Sequence, residues 1–376
     1  MDFSISVSDL QSIVGKIGGI LKLTMDDVTS MMLIDATGDY VKFCGTSGSV
    51  HAVINAKECK IIEKGKVLLQ LREVQNYISK FAPFVDGFGT KEFRIVSDGK
   101  EGIIKTKTEF VNNKPSYRSL KFKLYNVAML PPIKEFEDAQ IIINSNIILE
   151  GLYKILPCVD PNEIRRAMSG VYVNINSDSL VFAGTNGIKL SEAKLPINAD
   201  IAQEDHVIAY SMAVAIRAML DRDSQVFMRF EGRDMYIRCN DLYLSGGLIL
   251  NETYPNYKGA LTSFDKTISI PKNILIDNVA AATGVLDAED NFRVTINFTD
   301  NIFTLKNDRI ETHHEFDTPF AHNLDTDVNG AFLLAMISHF SGDELELCFT
   351  DNSNSIIFRS KENIDHTTLL TRLKRR

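Results

Sequence analysis

The stretch Val181–Ile197, VFAGTNGIKLSEAKLPI, holds Gly184, Gly187, Lys189 and Ser191 in the order of a phosphate-binding loop. Such a loop needs its lysine directly after the last glycine and a helix behind it, whose free N–H groups hold the anion. Here Ile188 separates Gly187 from Lys189, and the residues from Leu190 onward alternate as a second strand does. The segment predicts a tight strand–turn–strand and no phosphate cradle. ETHHEFD offers His313, His314, Glu315 and Asp317 to a metal. Successive side chains of a strand point to opposite faces, so the two imidazoles cannot share one ion. Gly15, Gly18 and Gly19 of GKIGG fall inside a helical pattern, where they permit close packing and bind no nucleotide. Neither HExxH nor a nucleophile elbow is present. Cys44, Cys59, Cys158, Cys239 and Cys348 are scattered without a CxxC pair and read as reduced, buried thiols. The acidic stretches DAED and SGDELE read as solvated loops. No catalytic residue, metal or cofactor is expected.

The elements that hold these residues repeat. SVSDLQSIVGKIGGILK places Leu10, Ile13, Val14, Ile17 and Leu21 on one helical face, with Ser6 or Ser8 as its cap. NSNIILEGLYKILPCV does the same with Ile148, Leu152, Ile155 and Leu156, and SIPKNILIDNVAAATGV with Leu275, Ile276, Val279 and Ala282. Each helix is followed by strands, a second helix (LREVQNYISKFA, SMAVAIRAMLDRD, VNGAFLLAMISHF) and a closing hairpin (EFRIVSDGKEGIIKT, VFMRFEGRDMYIRCN, ELELCFTDNSNSIIFRS). Helix, strands, helix, strands, three times over, predicts an α+β protein of three tandem domains. Proline, glycine and charge in PPIKEFEDA and ALTSFDK put the boundaries near 138/139 and 265/266, giving domains 1–138, 139–265 and 266–376.

A chain of 376 residues is long for one core. MDFSISVSDL carries an acid where a signal peptide would carry lysines, and no apolar run reaches membrane-spanning length, so a soluble cytoplasmic protein is expected. The net charge of −8 is uneven: domain 1 has 19 basic against 17 acidic residues, domain 2 has 11 against 15 and domain 3 has 11 against 17. Polar helix faces carry Lys16, Arg72, Lys80, Lys154, Arg217 and Arg222, Lys22 follows the first helix, and Arg165 and Arg166 sit in the loop after the domain 2 helix.

The triplicate plan, TNGIKL, LNETYPNYKGAL (Leu250–Leu261), NEIRRAMSGVYVNI (Asn162–Ile175) and the terminal HTTLLTRL resemble the beta-type DNA sliding clamp of bacterial replicative polymerases. That resemblance spans the whole chain and is strongest in domain 2. It implies a homodimer whose six domains close a ring around duplex DNA, helices inward and sheets outward, binding DNA without regard to sequence. It implies partners as well: DNA polymerase and clamp loader, held through short linear motifs.

Under this reading Lys22, Arg72, Lys80, Asn162, Arg165, Arg166, Arg217 and Arg222 face DNA phosphates. In the family the loop after the domain 2 helix meets the duplex, often through a glutamine and tyrosines; Asn162, Arg166 and Ala167 stand at those places. A hydrophobic cleft for partner peptides maps onto Thr185, Gly187, Lys189 and Leu190, onto Pro255, Gly259 and Ala260, and onto Leu369, Leu370, Thr371, Arg372 and Leu373. Its expected walls are Leu190, Leu369 and Leu370, and its glycine lets a peptide backbone approach. The family usually has arginine and valine where Gly259 and Ala260 stand, and a proline and methionines in the tail.

The dimer contact is expected between an edge at Ile103, Ile104, Lys105 and Lys107 and the region of Val285, Leu286, Asp287 and Glu289, on complementary charge. Two other classes fit the bulk composition: a multidomain nucleotide- or sugar-metabolising enzyme with an interdomain site, and a structural assembly protein of repeated β-rich units.

Overall fold

A computed structural model of the chain describes residues 1–22, 27–83, 85, 89–109, 116–130, 133, 136, 138–199, 201–262, 264–285, 292–362 and 365–374. Its backbone runs through three similar sets of elements. The first is β1 (Asp2–Ser6), α1 (Val7–Gly18), β2 (Met31–Asp35), β3 (Val41–Thr46), β4 (Val50–Ala56), β5 (Lys60–Glu63), β6 (Lys66–Gln70), α2 (Leu71–Ile78), β7 (Gly89–Ser97), β8 (Glu101–Glu109) and β9 (Ser116–Lys123). The second is β10 (Ile141–Asn144), α3 (Ser145–Ile155), β11 (Gly170–Ile175), β12 (Ser179–Thr185), β13 (Lys189–Pro196), β14 (Glu204–Ala209), α4 (Tyr210–Met219), β15 (Gln225–Glu231), β16 (Asp234–Cys239) and β17 (Leu242–Gly247). The third is β18 (Lys266–Pro271), α5 (Lys272–Thr283), β19 (Arg293–Thr299), β20 (Ile302–Lys306), β21 (Glu311–Glu315), β22 (Leu324–Asn329), α6 (Gly330–Ile337), β23 (Glu344–Phe349), β24 (Ser355–Ser360) and β25 (His366–Thr371).

Each set opens with a strand that periodicity alone misses. DFSIS, IIIN and KTISIP are too short for a period of two to stand out before the helix begins. The closing hairpins likewise gain a third strand, β9, β17 or β25.

The chain forms two compact units, Met1–Asn146 with Ser211–Leu248, and Ile147–Tyr210 with Ile249–Arg376. In the first, a five-stranded sheet runs β5-β1-β7-β8-β9 and an eight-stranded sheet runs β10-β15-β16-β17-β4-β3-β2-β6. Ser6 caps α1 by accepting from the Asp9 N–H at 3.0 Å, and Leu10, Ile13, Val14 and Ile17 are buried with Leu71, Val74 and Ile78 of α2. Each such side chain contributes about 1.5–3 kcal/mol of burial.

In the second unit an eight-stranded sheet runs β14-β11-β12-β13-β25-β24-β23-β18 and a four-stranded sheet runs β21-β20-β19-β22. Leu275, Val279 and Ala282 of α5 and Leu333, Met336 and Ile337 of α6 close a core with Ile296, Phe298, Phe303, Leu347 and Phe358.

Two seams join sets that are distant in sequence. β17 pairs with β4, Leu244 opposite Ala52, and β25 pairs with β13, Thr368 opposite Ser191.

Candidate functional site

β12 is buried along its whole length, and three residues turn it into β13. Thr185 Oγ1 accepts from the Gly187 N–H at 3.0 Å and donates to the Lys189 carbonyl at 2.8 Å. Asn186 Oδ1 accepts from the N–H groups of Ile188 and Lys189, both at 3.1 Å. Gly187 has φ +84°, which L side chains rarely adopt. A Cβ there would stand 2.8 Å from Nη2 of Arg165. The space expected to admit a peptide backbone therefore holds an arginine, whose Nη2 donates to the Asn186 carbonyl at 3.3 Å and whose Nε meets Glu163 Oε1 at 2.9 Å.

The tail is stitched to this turn. Thr371 donates to the Ile188 carbonyl through both its N–H, at 2.9 Å, and its hydroxyl, at 2.8 Å. Arg372 N–H donates to Asn354 O at 2.7 Å and its Nη2 to Thr350 O at 3.1 Å, and burial pushes its guanidinium below the usual arginine range. Leu373 N–H donates to Asp327 O at 2.7 Å. Lys189 donates to the Pro157 carbonyl and lies 4.6 Å from the Phe332 ring centre; burial lowers its ammonium from the usual lysine range.

Leu190 and Leu369 share a small apolar cluster with Ala183, Tyr257, Leu261, Cys348 and Ile357. Leu370, expected as a third wall, points through the other face of β25 into the core of β23, β24 and α6, where it is fully buried, and walls no cleft. Pro255, Gly259 and Ala260 are exposed, on a segment pinned by two tyrosines that the sequence reading passed over. Tyr254 stacks on Tyr172 at 4.8 Å, and Tyr257 donates to Glu192 Oε2 at 2.6 Å. The spacing of YPNY was their signal. Ile188, used only to exclude a phosphate loop, is 47% exposed at the tip of the turn.

No family model matches the sequence. Among curated proteins, the beta sliding clamp of Mycoplasma capricolum is 22% identical over 353 residues, covering 88% of each chain. That of Chlamydia muridarum is 21% identical over 364 residues, covering 94% of each. Among solved structures, the DNA polymerase III beta subunit of Thermotoga maritima superposes with a TM-score of 0.84 at 13% identity over the whole of both chains. The Bacillus subtilis DNA polymerase sliding clamp gives 0.84 at 15% over the whole of both chains, and the Helicobacter pylori beta clamp bound to a DNA ligase peptide gives 0.81 at 13%, again over both chains entire. This chain has the beta sliding clamp fold. The rival reading as a metabolic enzyme finds no support among these clamps.

On the clamp fold the predicted basic residues separate into two groups. Lys22, Arg72, Lys80, Arg166, Arg217 and Arg222 are exposed, as is Asn162. Lys16 is bound to Asp221 at 2.7 Å. Lys154 was expected on a solvated face, but it is 3% exposed and held by Glu150 at 2.6 Å, because its turn of α3 lies under Ser191 and His366. Arg165 is 61% exposed, yet two of its nitrogens are already engaged.

The expected dimer edge also needs correction. β8 is flanked by β7 and β9, so Ile103–Lys107 has no free backbone edge, and Ile104 is fully buried within its own unit. Lys105 and Lys107 are exposed and Ile103 is half-buried. Val285 is exposed, and its carbonyl accepts from Arg309 at 3.0 Å; Leu286, Asp287 and Glu289 lie outside the described residues. His313 and His314 take separate partners, as strand alternation requires: Thr304 Oγ1 at 3.1 Å and the Phe316 ring at 4.7 Å.

Proposed function

We propose that the protein is a DNA sliding clamp: two copies form a ring that encircles duplex DNA and tethers a replicative polymerase, without catalysis. The observation that carries this is the pattern of seams. β17 docks on β4 and β25 docks on β13, so the last strand of one repeat pairs with the third post-helix strand of the repeat before it. The equivalent strands left over are β9 and β21, each terminal in its sheet. A second copy supplies the partner of both, and two identical seams related by a twofold axis close six repeats. Left open, such edges are templates for aggregation.

The repeats run 1–138, 139–265 and 266–376. A closed ring retains DNA by topology, so its phosphate contacts can stay weak enough to slide. Lys22, Arg72, Lys80, Asn162, Arg165, Arg166, Arg217 and Arg222 supply those contacts. Polymerase and loader motifs bind across Ile188, Leu190, Pro255, Ala260 and the tail, where one or two apolar anchors at about 1.5–3 kcal/mol each suit exchangeable partners. Its place of work is the cytoplasm.

Two measurements test this. Near neutral pH the solution mass should be twice the 42.1 kDa chain. Protein loaded onto nicked circular DNA should be retained and then lost on linearisation. A monomer at all concentrations, or equal retention on linear DNA, would sink the reading.

A further inference from the structure

The repeat fixes a register for the missing seam. Phe3, Ile141 and Ile268 hold equivalent places and lead by strand pairing through Ile95, Met228 and Leu347, and through Ile104, Ile237 and Phe358, to Leu120, Leu244 and Thr368. Across the two filled seams Leu244 faces Ala52 and Thr368 faces Ser191. Ala52 pairs with Gly45 and Ser191 with Gly184, two residues from a turn closed by Ser47 N–H to Val50 O at 2.9 Å and Asn186 N–H to Lys189 O at 3.2 Å. The matching turn, Asn307 N–H to Ile310 O at 2.9 Å, makes Thr312, paired with Leu305, their equivalent. Leu120 of one copy therefore faces Thr312 of the other. Antiparallel counting then sets Lys121 opposite Glu311, Ser119 opposite His313, Arg118 opposite His314 and Tyr117 opposite Glu315.

We propose that closure of the ring is pH-gated by His313 and His314 against the cationic edge of β9, a proposal that rests on the clamp reading because it needs the second copy. β9, SYRSLKFK, carries Arg118, Lys121 and Lys123 and no acid; β21, ETHHE, carries Glu311, Glu315 and two histidines. Over the stretch where they face, Tyr117–Lys121 against Glu311–Glu315, the strands meet as +2 against −2 with neutral imidazoles, and as +2 against 0 with both protonated. Histidine is the side chain that ordinarily changes charge between about pH 5 and 8.

The surroundings do not cancel this change. Beside β21, Lys306 of β20 pairs with Glu311, and Glu311 is 3.8 Å from His313 Nε2. Phe303 and Thr304, which pair with the histidines, are uncharged. Behind β9, Lys105 and Lys107 stand next to Ser119 and Tyr117, and Glu101 reaches Lys121 at 3.5 Å. Two residues past Lys121, and beyond the end of β21, Lys123 comes opposite Arg309. The sign follows: the dimer holds fewer protons than two monomers, so it is tight above the histidine range and loosens as pH falls through it.

The test is sedimentation-equilibrium analytical ultracentrifugation of the full chain between about pH 8 and about pH 5.5, with circular dichroism at each point. The dimer Kd should rise at least about tenfold on acidification, and H313Q/H314Q should remain dimeric with a flat profile. A flat wild-type profile, an unaltered profile in H313Q/H314Q, or loss of dichroism in step with dissociation overturns the proposal and leaves the clamp reading standing. Monomers at every pH overturn both.

Discussion

Nη2 of Arg165 donates to the carbonyl of Asn186 at 3.3 Å, binding the loop after α3 to the turn after β12. A loop expected to touch DNA and a turn expected to touch partner peptides are thus one hydrogen-bonded piece. Whatever moves one of them is felt by the other.

The first prediction is made at Gly187. G187A must hold alanine at φ +84° and push Arg165 aside, so it should destabilise the protein by about 1–2 kcal/mol. R165A alone should cost less, and the double variant should recover part of the G187A loss. Denaturant unfolding of the four proteins measures this; strictly additive effects would show that the contact carries no coupling.

Arg166 should matter more to DNA than Arg165. Arg166 is exposed, while Arg165 already engages Glu163 and Asn186. R166E should weaken DNA binding alike across sequences and lower the salt slope by about one unit. R165E should act less on DNA and more on peptide binding. Equal DNA effects of the two reversals would show that the engagement of Arg165 is lost on DNA.

Ending the chain at Leu370 removes both donations from Thr371 to Ile188 and the backbone anchors of Arg372 and Leu373. At about 0.5–1.5 kcal/mol per bond, the turn should lose its tether while the buried Leu370 keeps β25 in place. Affinity for a DNA ligase- or polymerase-derived motif should fall at least about tenfold, read by fluorescence anisotropy, with the solution mass unchanged. Undiminished peptide binding would mean that the tail is scaffold only.

His366 gives the second unit an acid limit of its own. It is 1% exposed, with Nε2 3.1 Å from Ser191 Oγ and its ring stacked on Phe340 at 4.1 Å. Burial, helped by Lys154 and His339, pulls its pKa down to about 3. The folded state keeps the ring neutral, so stability is complete above the ordinary histidine value of about 6.5 and falls by about 1.4 kcal/mol per pH unit below it. H366F should flatten that slope between about pH 6 and pH 4 in thermal unfolding; an unchanged slope assigns the acid sensitivity to other groups.

The threefold plan, the amphipathic helices and the turn at Asn186–Gly187 were all legible in the sequence. Each is a local matter of period, cap or left-handed glycine, decided within a few residues of chain. The surroundings of the residues proposed to receive partner peptides were legible only in outline. Leu369 and Leu370 are identical neighbours in sequence, yet one joins a small cluster with Tyr257 and the other enters the core beneath α6, because β25 is covered on both faces. Lys154 looks like any lysine on a helix until Ser191 and His366 arrive over it from other strands. That β9 rather than β8 ends its sheet among the described residues was hidden for the same reason. Which strand ends a sheet depends on pairings such as Leu190 with Leu369, made between residues far apart in the chain, and no local pattern specifies its partner at that distance.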